Sequence, residues 1–133
     1  MAVKRAQQLS VFLENQPGVL AKLAQALAGG KVNLLGMSVS DTVDHAVVRL
    51  VVDNPPRARR ILEEANLLVV ENDVLAVPLA NRPGALSDTA QRLARAHVNI
   101  EYAYGSGVAK KGARALLFLR VSDTKKALRV LNR

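Results

Sequence analysis

The sequence predicts an α+β fold in which one small unit, an antiparallel sheet with two helices, occurs twice. Two patterns carry this. Apolar residues switch repeatedly between strand-like alternation and helical spacing, and the chain matches itself at a fixed offset. At 133 residues the chain has room for two very small units and little else.

The self-match sets Leu9, Val11, Leu13, Asn15, Pro17, Gly18, Leu20, Ala24, Gln25, Leu27, Ala28, Val32 and Asn33 against residues 66 positions later, from Leu75 to Asn99. After a three-residue insertion, "AVVRLVVDN" (46–54) lies opposite "ALLFLRVSD" (115–123), and Arg57-Ala58 opposite Lys126-Ala127. The division this implies is a first unit over residues 1–71 and a second over 72–133.

Within the first unit, "LSVFLEN" (9–15) alternates as a strand. Val19, Leu20, Leu23, Ala24 and Leu27 then fall on one helical face. Pro17 suits the helix's first turn and Gly29-Gly30 its stop. "VNLLGMSVS" (32–40) and "AVVRLVVD" (46–53) make a hairpin around "DTVDH". Asn54 can cap a second helix with Pro55 at its first position. "LLVV" (67–70) closes the unit as a strand. The order is βαββαβ, the ferredoxin-like split-βαβ pattern. The second unit repeats it with "VLAVPLA" (74–80), a helix from Pro83 to about Ala96, "VNIEYAYG", "ARALLFLRV" and a helix capped by Ser122 or Asp123. No closing strand follows, so the second unit is expected to lack its last strand or the chain to be shortened. An edge left open would need cover, for instance from another chain.

Composition narrows the chemistry. With no cysteine, thiol catalysis, disulfides and Cys-based metal or cluster sites are excluded. No apolar run reaches the ~18 residues of a membrane span, and "MAVKRAQQLSVFLENQ" lacks the apolar core of a secretion signal. The expectation is a cytoplasmic protein with no membrane partner and no cofactor. The net charge of +8 is concentrated from Glu71 onward, where eleven Lys/Arg face five acids. That excess could serve nucleic acid, but at 3% aromatic content the chain has few stacking platforms, so solvated helix faces account for it better.

The chemistry-bearing feature is the junction "ENQPGVL" (14–20), repeated as "ANRPGAL" (80–86). The amides of Asn15 and Asn81 offer both donor and acceptor, suited to the ammonium and carboxylate of a free amino acid. Gly18 and Gly84 allow close approach. Main-chain N–H groups around Val19, Leu20, Ala85 and Leu86 lack helical partners and can receive a carboxylate. The competing account is that Asn near a helix start merely satisfies that end.

These two junctions, with the "VN[LI]" strand starts and the hairpins after them, resemble the ACT domain, a small-molecule-sensing module of amino-acid metabolism, over nearly the whole chain. The resemblance implies ligand sites where ACT units pair, formed by Asn15, Gln16, Pro17, Gly18, Val19 and Leu20 in one loop and Asn81, Arg82, Pro83, Gly84, Ala85 and Leu86 in the other. The strand starts Asn33-Leu34 and Asn99-Ile100 contribute as well. It also implies a regulatory protein that binds a free amino acid, works through ligand-driven population shift, forms a homodimer and is not itself an enzyme. Ala80 departs from the family, where an acid such as Glu14 is frequent.

Two other roles stay in view: a regulatory subunit of an amino-acid biosynthetic enzyme such as acetolactate synthase, and a basic nucleic-acid-binding module. "GSGVAKKGAR" (105–114) links two strands, so it reads as a hairpin whose Lys110 and Lys111 could touch an anion, rather than as a phosphate loop. His45 and His97 have no carboxylate cluster around them. Arg57, Arg59 and Arg60 are followed at once by Glu63 and Glu64, as on a solvated face.

Overall fold

The computed structural model describes residues 2–41, 44–106 and 114–133. In chain order the elements are β1 (Lys4–Glu14), α1 (Val19–Gly29), β2 (Leu34–Asp41), β3 (His45–Val52), α2 (Pro55–Glu64), β4 (Leu68–Ala80), α3 (Ala85–Arg95), β5 (Ile100–Ser106), β6 (Arg114–Val121) and α4 (Thr124–Leu131). The expected α+β class and ferredoxin-like order are present. Two compact units result, one from Gln7–Asn72 and one from Met1–Ala6 with Asp73–Arg133. The repeat assigns residues 1–6 to the first unit, whereas in the structure they cluster with the second.

In the first unit the strand order is β2-β3-β1-β4, and in the second β1-β4-β6-β5. Two strands are longer than their apolar patterns. The expected strands 67–70 and 74–80 are one strand, β4, because Glu71-Asn72-Asp73 contains neither Gly nor Pro to turn the chain. Likewise β1 begins at Lys4, ahead of the alternation that starts at Leu9. No strand follows α4 among the described residues, and the start of β1 lies in that unit. Val3 packs there with Leu75, Val77, Leu119 and Leu131. The Asn132 amide pairs with Val3 in both directions: Val3 N–H donates to Oδ1 at 2.8 Å and Nδ2 donates to Val3 O at 2.9 Å.

The cores obey the repeat. Leu9, Val11, Leu27, Val32, Leu50, Val52, Ala58 and Leu62 fill the first. Their counterparts Leu75, Val77, Leu93, Val98, Leu119, Val121, Ala127 and Leu131 fill the second. Antiparallel registers place them in columns, such as Leu9 opposite Leu50 and Leu75 opposite Leu119. Alternate residues of each strand therefore meet the buried stripe of two helices.

The helix ends are specified locally. Asn54 Oδ1 accepts from Arg57 N–H and Asp123 Oδ1 from Lys126 N–H, the side-chain caps expected at α2 and α4. At the other end, Lys31, Asn66 and His97 sit at φ near +60°. After Lys31, Val32 N–H reaches back to Leu27 O while Lys31 N–H meets Ala28 O, and the same pair of bonds follows Asn66 and His97. These are Schellman stops with non-glycine residues in the left-handed position. Gly29-Gly30 therefore does not supply that position. A Cβ on Gly30 would meet Ile61 Cδ1 at 2.2 Å, so Gly30 is there to let α2 approach the end of α1.

Candidate functional site

At the first junction β1 ends at Glu14 and α1 begins at Val19. Gln16-Pro17-Gly18-Val19 forms a turn in which Val19 N–H donates to Gln16 O at 3.4 Å, and Gly18 has φ 84°, ψ −11°. The second junction matches it: Ala85 N–H donates to Arg82 O at 3.4 Å, with Gly84 at φ 88°, ψ −12°. Pro at the second turn position and a left-handed Gly at the third define a type II turn. Pro17 and Pro83 thus lie before the helices rather than in their first turns. The sign of φ explains both glycines before any ligand is invoked. Beyond Gly18 the space where a Cβ would stand is open, and at Gly84 the nearest neighbour is Arg82 Nη1 at 3.6 Å.

The turn changes which N–H groups are available. Val19 and Ala85 spend theirs closing the turn, while Lys22 and Asp88 begin the helical ladder by donating to Gly18 O and Gly84 O. Leu20 and Ala21, and in the second unit Leu86 and Ser87, keep first-turn N–H groups that no helical carbonyl can reach. Gly, which brings no side chain, occupies both cap positions, so Asn15 and Asn81 are not N-cap residues. The Asn15 N–H is tied to Asp44 O at 3.1 Å.

A cavity of about 280 Å³ lies against the second junction. The loop side is Ala80, Asn81, Arg82 and Gly84, continued by Ala85 and Leu86 of α3. The sheet side is Leu79 with Gly105, Ala115, Leu116 and Leu117. Among the described residues its one charged lining residue is Arg82, whose Nη1 donates to Pro83 O at 3.2 Å and Nη2 to Asp88 Oδ2 at 3.0 Å. This fixes the guanidinium across the start of α3. Gly105, Ala115, Leu116 and Leu117 are additions that the junction motif did not point to. Gly105, where the expected strand "VNIEYAYG" meets the expected hairpin, lies on β5, where a Cβ would stand 2.7 Å from Leu116 O. Position 105 must therefore be glycine for β5 to pair closely with β6. The first unit has an apolar crevice of about 160 Å³ that starts from Leu13 and Val19 at its junction and runs along the flank of α1, past Lys22 and Leu23, to Leu67.

The remaining expected residues are not beside these loops in their own units. Asn33 N–H donates to Asp53 Oδ1 at 3.0 Å and Asp53 N–H returns to Asn33 O. Since Asn15 meets Asp44, the two asparagines stand at opposite ends of β3, roughly 30 Å apart at ~3.3 Å per residue. Asn99 is likewise tied to Ser122, N–H to Oγ at 2.9 Å, at the far end of β6 from Asn81. Leu34 and Ile100 start β2 and β5 at those same far ends.

The other candidates have structural explanations. Arg57 Nε donates to Gly30 O at 2.6 Å, at the end of α1. Arg59 pairs with Glu63 at 3.2 Å and Glu71 at 3.1 Å. Its pKa is raised, first by the hydrogen bond with Glu71 and then by the charge of Glu63, so it stays protonated. His97 is the left-handed residue of a helix stop. Phe118 is 2% exposed and packs on Tyr104 at 5.5 Å, while Phe12 is 40% exposed on a different strand; no aromatic platform forms from them. No cluster of three metal-ligating side chains occurs among the described residues, and no helix there is long and apolar enough to cross a membrane. The expected contact of Lys110 and Lys111, and Thr42-Val43 of the first hairpin turn, lie outside the described residues.

Comparison with known proteins decides the family. The ACT domain pair matches residues 3–133. This chain belongs to that family. A protein of Bacteroides thetaiotaomicron is similar at 31% identity over 97% of this chain and 88% of its own, with a TM-score of 0.90. The ACT pair also shares its fold with the ligand-free regulatory subunit of aspartate kinase from Thermus thermophilus: 19% identity, TM-score 0.69, covering 98% of this chain and 95% of that one. Aspartokinase III of E. coli, solved with aspartate and ADP, is similar at 19% identity and TM-score 0.63, with 98% of this chain covering 31% of the enzyme. No curated protein matches.

Proposed function

We propose that this ACT pair is a regulatory protein that binds a free amino acid reversibly and has no catalytic activity of its own. The cavity at Asn81 and Arg82 is the observation that carries it. Amide donors and acceptors, the Arg82 guanidinium and the first turn of α3 at Leu86 border a space with apolar walls, a combination suited to a small zwitterion. Asn15, Gln16, Pro17, Gly18, Val19 and Leu20 form the corresponding loop of the first unit. Asn33, Leu34, Asn99 and Ile100 enter the reading only through pairing with a second copy of the chain, whose loop they would face. The ligand acts by favouring one of two conformational states, and by no more than its difference in affinity for them. The setting is the cytoplasm, with a homodimer as the working form.

The test is isothermal calorimetry and a thermal-shift screen against the common amino acids. One of them should raise the melting temperature, and the Asn15→Ala/Asn81→Ala double variant should lose that response while still melting cooperatively. Unchanged affinity in the double variant would refute the site, and no response to any amino acid would refute the function.

A second reading is favoured by the fold shared with a separate regulatory subunit of aspartate kinase: docking onto an amino-acid biosynthetic enzyme. Co-purification of such an enzyme, released or retained according to amino-acid concentration, would support it. Steeply salt-dependent capture of RNA or DNA would instead support a nucleic-acid role.

A further inference from the structure

We infer that the two units are not equivalent sites: the second unit alone encloses the ligand, and its pocket selects an amino acid with an aliphatic side chain. This rests on the amino-acid reading above and extends it to stoichiometry and ligand class.

Comparing the repeats position by position separates what makes the turn from what makes the pocket. Asn, Pro, Gly and the following Leu are the same at 15, 17, 18, 20 and at 81, 83, 84, 86, and the turn geometry agrees to within a few degrees. Six lining positions differ: at Arg82, Leu116 and Leu117 the second unit is bulkier than Gln16, Val47 and Val48, and the other three differ in the opposite direction. Ala80 corresponds to Glu14, Ala85 to Val19, and Gly105 to Val39. The last correspondence is fixed by register, since Gly105 pairs with Leu117 and Val39 with Val48, which occupy equivalent places on β6 and β3. At each of the three the first unit carries the bulkier side chain. Ala80, Ala85 and Gly105 all line the second unit's cavity. Their counterparts would fill it from the loop, the helix and the sheet.

Charge separates the units in the same way. Arg82 stands where the first unit has Gln16, and Glu14 stands where the second has Ala80. A carboxylate ligand meets a guanidinium in the second unit, with Asp88 and Pro83 O occupying only part of its five-donor fork. In the first it meets a carboxylate and no arginine, with Lys22 standing where the second unit has Asp88. The side-chain end of the ligand faces Leu79, Ala85, Ala115 and Leu117, which offer no partner for a second charge. An aspartate or lysine side chain would lose its hydration there without compensation.

Calorimetry on the full-length chain tests this with valine, leucine and isoleucine set against aspartate and lysine. The expected result is one ligand per chain, with an aliphatic amino acid at least tenfold tighter than aspartate or lysine. Ala80→Glu, which reproduces the first unit's residue at an exposed position, should weaken binding at least tenfold. Glu14→Ala should leave it unchanged. Asn81→Ala alone should abolish binding. Arg82→Gln provides an independent check on a surface side chain if Ala80→Glu lowers the melting temperature. Two ligands per chain, equal sensitivity to changes at 14 and 80, or preference for aspartate or lysine would each overturn the inference while leaving amino-acid binding intact. Absence of any binding by the unaltered chain would overturn both.

Discussion

The tie between Val3 and Asn132 gives a sharp test of how the second unit is built. Asn132→Ala removes two hydrogen bonds, of 2.8 and 2.9 Å, from a partly buried site. A net hydrogen bond is worth about 1 kcal/mol, and a main-chain group left without a partner costs more. Val3 is 8% exposed, so water reaches its N–H and C=O poorly, and the loss should total about 2–3 kcal/mol. Val3→Ala removes two buried methyl-sized groups, about 1.6 kcal/mol at ~0.8 kcal/mol each. The two changes act on one contact, so the double variant should lose less than the sum of the singles. Urea unfolding followed by circular dichroism measures the stabilities. Amide hydrogen exchange should show the added loss of protection concentrated in β4, β6 and α4. An Asn132→Ala variant within 0.5 kcal/mol of the parent, or strict additivity, would mean that residues 1–6 do not complete the second unit.

Other expected outcomes follow from single features. Lys31→Gly, at φ 59°, should stabilise the chain by about 1 kcal/mol, because glycine lacks the left-handed penalty of ~1–2 kcal/mol; a lowered melting temperature would contradict the Schellman assignment. Gly84→Ala, at φ 88°, should cost about 1–2 kcal/mol for the same reason, as urea unfolding would show. Asn54→Ala and Asp123→Ala each remove a cap and should cost about 1 kcal/mol in urea titrations. Arg59→Ala should change the urea midpoint little despite its two carboxylate partners, since the pairs are exposed and screened, and the effect should fade further in high salt.

Much of this architecture can be read locally. The matched cores, the caps at Asn54 and Asp123 and the strand-to-helix rhythm all depend on residues a few positions apart. What escaped was settled at long range or hidden by shared local signals. "KRAQQ" (4–8) has no apolar alternation; it is a strand because β4 lies beside it. Pro before Gly suits both a helix's first turn and a type II turn, and only the backbone angle of Gly84 separates them. Lys31 ends α1 just after the Gly29-Gly30 that suggested the stop, because the Schellman bonds and the packing of Val32 hold it there. Gly105 stands where an expected strand meets an expected hairpin in one dimension and is part of a wall in three.

Duplication also changes what a repeated motif can mean. The Pro-Gly of each junction is demanded by the turn, so its presence twice follows from the fold and says little about ligands. Information about a site must come from positions the fold leaves free, and there the copies have separated. A tandem pair with identical pockets would gain a second equivalent site. A pair with one open pocket can keep the other unit for pairing or for contact with a partner. The exposed side chains of Leu34, Leu35, Met37 and Val39 along β2 of the first unit agree with that division, because an apolar row on an outermost strand is costly unless something covers it at least part of the time. The function of the ACT pair is therefore better sought in the differences between Glu14 and Ala80, Gln16 and Arg82, and Val19 and Ala85 than in the motif that first draws the eye.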